Sequence, residues 1–536
     1  MSKTRAGVRF QPDVNKHLQL GVHKLAQLIR PTLGPLPRTV VHQKLNDIEL
    51  LDKGAVIARR MTNLPDRRED VGAMYLRHMM WQLYEDVGDG TATAAVLFAT
   101  LYDAGLRYLA AGVDARKLGR SLEHYLNYLL NQLDQRTQPV STLPQLQGIA
   151  RAVCPDAALA DVLAELVHDL GEFGKLELRK GGTQHEWSFV EGNYWSGGVL
   201  SKRFLEGKTP ARIELEDVGV LVTDFQIDDP RELPPILKQA LQLGFTKLVL
   251  VAKTISERAI TFLTAPQLLE QIEVIPVKLD GFTQAQDSAN HTDLTALVGG
   301  YPVVSLGASS LPHVRPDDFG RARLVWADQQ HAGIIGGNGD PHALKNHVNS
   351  LKTALYNAQD VELRKTLRAR LGRLLGGTIT LWVGGASERE VEANQDHAKH
   401  TDLTLRGALE QGVLPGGGRA YLTCCNVLQE HYEVASTLEE RASCHMLMTA
   451  LEAPLRTMLH NAGLEPSEII GTLKTAGDEV GYDIRQQTYS NLAEQGILDV
   501  ASVQKAALRY AVSSVALALT IEAVVHKKTP EQVTKP

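Results

Sequence analysis

The order of local patterns along the chain constrains its architecture more than any single motif. Val14, Leu18, Val22, Leu25 and Ile29 recur at steps of four and three, which predicts one face of an amphipathic helix, and "RPTLGPLPR" ends it with Pro31, Gly34 and Pro35. Helical patterns continue to about residue 135. The middle differs. "VGVLVTDF" (Val218 to Phe225), "KLVLVAK" (Lys247 to Lys253) and "IEVIPVKL" (Ile272 to Leu279) are β-rich runs separated by helical stretches such as "LPPILKQALQLG", the alternation of an α/β domain. Leu344, Val348, Leu351 and Leu355, then Leu363, Leu367, Leu371 and Leu374, predict an antiparallel helix pair around "YNAQD", stopped by Gly376 and Gly377. From about 405 onward the pattern is helical again, and the chain carries no internal repeat. This order predicts one α domain built from both chain ends, with an α/β domain inserted between.

Composition narrows the function. A chain of 536 residues with 43% hydrophobic and 22% charged residues has the makeup of a multi-domain soluble protein. A net charge of −6 argues against a nucleic-acid partner, because such binders carry a basic excess. The N-terminal "MSKTRAGVRFQPDVNKH" has no apolar core of a secretory signal, and "AVSSVALALTI" is too short to span a membrane and reads as a buried core helix. Cys154, Cys424, Cys425 and Cys444 show no metal-ligand spacing, and a vicinal pair does not form an ordinary disulfide. A cytoplasmic location without membrane contact is the expectation.

The chemistry gathers around "VGDGTATAAVLF", Val87 to Phe98. A glycine-rich turn at a helix N-terminus aims backbone amides at one point, which suits a phosphate. Asp89 in that turn would repel the phosphate unless a hard cation such as Mg²⁺ lay between them. The other reading is local, with Asp or Thr capping a helix and Gly turning the chain. Three further clusters could surround a nucleotide: "TLGP" (Thr32 to Pro35), "PGGGRA" (Pro415 to Ala420) and "GYDIRQ...GILDV" (Gly481 to Val500). Each alone is equally well explained as punctuation of the chain.

Taken in order, "IRPTLGPLPRTVV", "VGDGTATAAVL", "VEGNYWSGGVLS", "RGALEQGVLPGGG", "EAPLR" and "GILDVASVQKAALRYAVSSVA" make the chain resemble the group I chaperonins, the family of bacterial GroEL, from about Val8 to Val525. The resemblance is weakest over about 265–340. It implies a multi-domain α and α/β subunit: an equatorial ATP domain from 1–135 and 410–536, an intermediate domain from 136–191 and 378–409, and an apical domain from 192–377, with hinges at Gly192 and at Gly376 and Gly377. It implies ATP and Mg²⁺ as cofactors. Thr32, Leu33, Gly34 and Pro35 would wrap the phosphates, Asp89 would bind the metal, and Gly90, Thr91, Ala92 and Thr93 would supply amides and hydroxyls. Gly417 would approach the ribose, with Asp483 and Asp499 along the nucleoside. The partners implied are further copies in a homo-oligomeric ring and unfolded protein chains. Whether rings stack and whether a small co-chaperonin binds stay open.

The chain also departs from the family. The family's water-activating Asp falls on His400 in "HAKHTDLTLRG", and Asp402 lies about 200° around the helix from it. A neutral His accepts a proton, whereas a protonated one does not. A second acid normally follows a Lys, but "LLDKGAV" reads Asp52-Lys53-Gly54. Either Asp52 compensates or Lys53 fills the acidic place. Enzyme activity is therefore left undecided between a working ATPase and a ring with slow or absent hydrolysis. The apical groove maps to Val199, Arg203, Phe204, Pro234, Leu237, Phe262, Leu263 and Thr264, of which Val199, Phe204, Leu237, Phe262 and Leu263 would bind substrate and Arg203 and Pro234 would cut the apolar strip. Gly197 stands where the family has an Arg that pairs between subunits with an acid near Glu388. The C-terminal "HKKTPEQVTKP" is expected to be a short disordered end.

Overall fold

The computed structural model describes the chain except residues 1–6, 44–47, 52, 62, 141, 191, 208–210, 280–283, 305–313, 376–377 and 527–536. Asp52, Gly376, Gly377 and all but the first residue of the C-terminal tail therefore lie outside the described residues. The chain forms two compact units, one from Met1–His168 with Ser387–Pro536 and the other from Asp169–Ala386. Both chain ends share one unit, as the helical outer thirds predict. The expected intermediate segments are divided between the two units, and the three-part layout stands as a proposal.

The first unit is helical. Its helices Asp13–Ile29, Arg67–Val87, Thr91–Ala110, Ala115–Asp134, Leu438–Asn461 and Ala501–Ala518 bury one core that includes Leu25, Leu76, Phe98, Leu129, Leu447 and Val512. Each such side chain contributes about 1.5–3 kcal/mol on leaving water, and the predicted stripe of the first helix, Val14 to Ile29, is buried throughout. Asp66 caps the Arg67–Val87 helix by accepting from the Arg68 amide. Among the described residues four antiparallel two-stranded pairs also belong to this unit, two of them made near the chain's N-terminal segment. Val40–Gln43 runs antiparallel to Ile48–Leu51, and Gly7–Phe10 runs antiparallel to Ala523–His526, tying the two ends of the chain together.

The second unit holds a closed six-stranded barrel. Ile213–Val222, Lys247–Val251 and Glu273–Leu279 are parallel neighbours, as the β-rich runs predict, and the Leu233–Gln242 helix connects the first two. Asn193–Val199, His331–Gly337 and Phe319–Ala327 complete the barrel in antiparallel pairing. A separate three-stranded sheet sets Thr378–Val383 between Lys175–Lys180 and Glu186–Val190. The predicted helix pair is Pro341–Asn357 and Val361–Leu375, joined through Val348, Leu351, Leu355, Leu367, Leu371 and Leu374. Asp293, fully buried on the Gln284–Val298 helix, accepts from Arg370 at 2.7 and 2.9 Å and is paired with His347 Nε2 at 2.8 Å. The carboxylate thus meets compensating donors from both helices of the pair, as a charge without water must.

The expected substrate groove needs correction in this unit. Leu237 is 4% exposed and Leu263 is wholly buried, both within the core under the barrel, because each lies on the inner stripe of a short amphipathic helix. Val199, Phe204 and Phe262 are only partly covered. Exposed Pro234 and Arg203 lie among them, and Arg203 pairs with Glu257 at 3.3 Å. Gly192 has φ +82.

Candidate nucleotide site

The turn that raised the question of the carboxylate is built by two glycines. The Arg67–Val87 helix ends at Gly88 (φ +80) and the Thr91–Ala110 helix starts from Gly90 (φ +86), left-handed values that suit glycine. A Cβ on Gly88 would also meet the His400 carbonyl at 2.1 Å. No side chain caps the Thr91–Ala110 helix, so its first amides stay open. Asp89 is exposed at this helix mouth, with its surface open to a cavity of about 980 Å³.

The four clusters singled out in sequence line this one cavity, which lies within the first unit. Thr32, Leu33, Gly34, Pro35, Asp89, Gly90, Thr91, Ala92, Thr93, Gly417, Asp483 and Asp499 all face it, and so does Lys53. His400 does not line it. That side chain is fully buried behind Tyr84, with ring centroids 3.6 Å apart and Nε2 3.5 Å from Asp396 Oδ1. Asp402 is held by Arg406 at 2.9 Å, in keeping with its different helix face.

Lys53 donates to the Val153 carbonyl at 2.6 Å and lies 3.2 Å from His397 Nδ1. Its cation therefore rests against the C-terminal end of the Leu143–Val153 helix, a favourable place for positive charge. The protein around Asp89 desolvates it and raises its proton affinity, against the lowering effects of the Gly90 amide and of Lys53. Desolvation, opposed by hydrogen bonds from Gly418 and Gln504 and aided by the charge of Asp89, pushes the Asp499 carboxyl from 3.8 up to about 7.

A carboxyl whose folded-state proton affinity is raised supports the fold fully below its unfolded value, and that support drains away as pH rises from about 4 to about 7. The displacement caps the effect at about 4 kcal/mol, and water reaching the half-open side chain reduces it to about 1–2 kcal/mol. Asp499→Asn is therefore expected to stabilise the nucleotide-free chain at pH 8 by that amount, with the gap closing toward pH 5, in paired denaturant titrations. Equal stability of parent and variant at pH 8 would contradict the burial argument.

Several residues that shape the cavity escaped the sequence reading. Asn461 donates its amide to the Arg30 and Leu33 carbonyls, both at 2.8 Å, and so fixes the Thr32–Pro35 turn from a helix far along the chain. Arg485 reaches the Pro35 carbonyl at 3.2 Å. Tyr421 donates to the Gln504 carbonyl at 2.6 Å, beside Asp499. Tyr84 also lines the wall. These contacts join segments remote in sequence, so no local pattern marks them.

A sequence model of the TCP-1/cpn60 chaperonin family matches residues 25–529. Among solved structures, the chain is similar to the chaperonin gp146 from the bacteriophage EL 2 (Pseudomonas aeruginosa), crystallised in the presence of ATP-BeFx. One crystal form gives 17% identity over 97% of this chain and 99% of that one, with a TM-score of 0.75. The other gives 18% identity over 98% and 100%, with a TM-score of 0.65. The fold is that of a chaperonin subunit. The chain belongs to the TCP-1/cpn60 chaperonin family, as a divergent GroEL-like member. None of its described helices is long and apolar enough to cross a membrane.

Proposed function

We propose that this chain is a nucleotide-binding chaperonin subunit that assembles with copies of itself into a ring and handles unfolded protein chains in the cytoplasm. The observation that carries the reading is the convergence of the four glycine clusters and Asp89 on one cavity beside an uncapped helix N-terminus. The amides and turns would hold the phosphates of ATP, and Asp89 would hold Mg²⁺. Among the described residues no three His, Cys, Asp or Glu side chains converge on a metal position, which suits an ion that takes one carboxylate together with phosphate oxygens and water. The metal would supply charge neutralisation between Asp89 and the phosphates.

Ring formation is supported by two of the small strand pairs of the first unit. Val41 and Ile48 on one, and Phe10 and Val525 on the other, leave apolar side chains exposed at unpaired strand edges. Two different edges that complement each other make a head-to-tail contact, and such a contact closes into a ring when its rotation permits. Val199, Phe204 and Phe262 provide partial apolar surface for an unfolded chain.

A second reading, a ring that binds nucleotide but turns it over slowly, is favoured by His400, which stands shielded behind Tyr84 where the family places its water-activating Asp. Sedimentation and phosphate release, each with and without Mg²⁺, test both readings. The expected outcome is a multi-subunit particle with weak Mg²⁺-dependent turnover, at least about a hundredfold below that of a site with its general base in place. A monomer at micromolar concentration sinks the ring, and vigorous turnover in the parent sinks the slow cycle.

A further inference from the structure

We propose that the pocket between the Gly54–Arg60 helix and the Arg67–Val87 helix binds a small phosphate monoester, held by the guanidinium groups of Arg59 and Arg77. The inference does not rest on the nucleotide reading of the larger cavity, because the two pockets share only Ala55 among their lining residues.

The pocket follows from two helical faces. On the short helix, Ala58 and Arg59 follow Ala55 by three and four residues, and on the long one Arg77, His78 and Trp81 follow Met74 by three, four and seven. Each set therefore shares one face. The two faces line a pocket of about 320 Å³, at the low end of the volumes that take small molecules. Its floor is the buried pair Ala55 and Ala58. Arg59 and His78 are exposed, and Arg77, Met74 and Trp81 are partly so, which leaves the cationic side chains within reach of a solute.

Charge selects the ligand. The chain has a net charge of −6, yet no Asp or Glu is among the described residues that line this pocket. Arg59 lies over the Trp81 ring, 4.9 Å from its centroid, and Arg77 Nη1 donates to the Met61 carbonyl at 3.0 Å. Both cations are thus positioned by neutral partners. Asp396, whose proton affinity is lowered first by its bond with His400 and only weakly by Arg59, is not one of the lining residues. Two positive charges therefore face one small volume. A phosphate monoester carries about two negative charges at neutral pH with three acceptor oxygens, which matches two planar forks of donors. A single carboxylate would leave one of the cations uncompensated. Met74 and Trp81 supply the apolar wall against which the organic part of the ester packs.

Calorimetric titration of the full chain with phenyl phosphate, with and without Mg²⁺-ATP, tests this. The expected result is binding in the millimolar range or tighter that persists with nucleotide present. Arg77→Met and Arg59→Met should each weaken it by about tenfold or more, the worth of hydrogen bonds to a charged group. Arg77→Lys keeps the charge without the fork and should recover only part of the affinity. Benzyl alcohol, which has the ring without the charge, should not bind, and inorganic phosphate, which has the charge without the ring, should bind about tenfold more weakly than the ester. Because Arg59 is exposed, its variant carries the test if Arg77→Met fails to fold. Absence of binding, or an affinity that neither methionine variant changes, overturns the site. Displacement by Mg²⁺-ATP places the ester in the larger cavity and overturns it as well. Equal binding of benzyl alcohol makes the pocket merely apolar and sinks the proposal, and equal binding of inorganic phosphate overturns the ester as its ligand.

Discussion

Asp89→Ala is expected to reduce Mg²⁺-dependent ATP binding by about a hundredfold or more, the scale on which a metal-holding group acts, while the subunit stays folded. Two arguments give the direction. The carboxylate opens into the cavity at an uncapped helix N-terminus, where phosphate and carboxylate compete for the same positive pole unless a cation joins them. Removing the carboxylate should therefore hurt binding in Mg²⁺ and leave metal-free binding in EDTA unchanged or slightly improved. The fold has little to lose. Because the surrounding protein raises the proton affinity of Asp89, its support for the folded state declines as pH rises above the usual carboxylate value. At neutral pH the variant should be at least as stable as the parent. Titration with a fluorescent ATP analogue, with and without Mg²⁺, reads the effect. A variant that binds Mg²⁺-ATP like the parent would remove the metal from this reading.

The parts of this molecule that were legible in the sequence are those written in local pattern, periodic or continuous. The stripe from Val14 to Ile29 and the leucine steps of the two hairpin helices carry a helical period, the runs at Lys247 and Ile272 are continuous β-rich apolar stretches of the kind buried on both faces, and each has its element in the structure. The glycine clusters were legible as turns, and their order along the chain carried the resemblance that joined them. What could not be read was which side of a short element faces inward. Leu237 and Leu263 belong to helices of ten and seven residues whose apolar faces suit a groove or a core equally well, and the barrel behind them decides for the core. Tyr84 and Asn461, and the shielding of His400, were hidden for another reason. Each acts across hundreds of residues or through a second side chain, as when Tyr84 covers His400, and a tyrosine in an ordinary helix gives no sign of what will stack on it. Lys53 illustrates the same limit. Its reversed order with Asp52 was visible, but its engagement with the Val153 carbonyl and its approach to His397 required the fold.

Arg419→Met is expected to destabilise the first unit by about 2–4 kcal/mol, the loss of more than one charge-assisted hydrogen bond, and to weaken nucleotide binding at the same time. Arg419 follows the Gly416–Gly418 turn and is 1% exposed, yet its guanidinium donates to the carbonyls of Leu473, Ala476, Gly477 and Asp478. Those carbonyls close the C-terminal end of the Pro466–Thr475 helix and begin the segment that leads to Tyr482 and Asp483 on the cavity wall. A cation is well placed there, because a helix C-terminus presents unpaired carbonyls and the negative pole of its dipole. Methionine fills much of the volume but satisfies none of the four oxygens. Lysine keeps the charge but offers a point donor instead of a planar fork, so Arg419→Lys should recover only part of the loss. Hydrogen exchange should show faster opening of amides in the 473–483 segment in both variants, with the larger change in methionine, and the nucleotide affinity should fall in the same order. Loss of stability without any change in affinity would make Arg419 a core cation unconnected to the site. An unfolding midpoint unmoved by Arg419→Met would mean that water replaces the guanidinium at no cost, and the proposed hold on the cavity wall would fail with it.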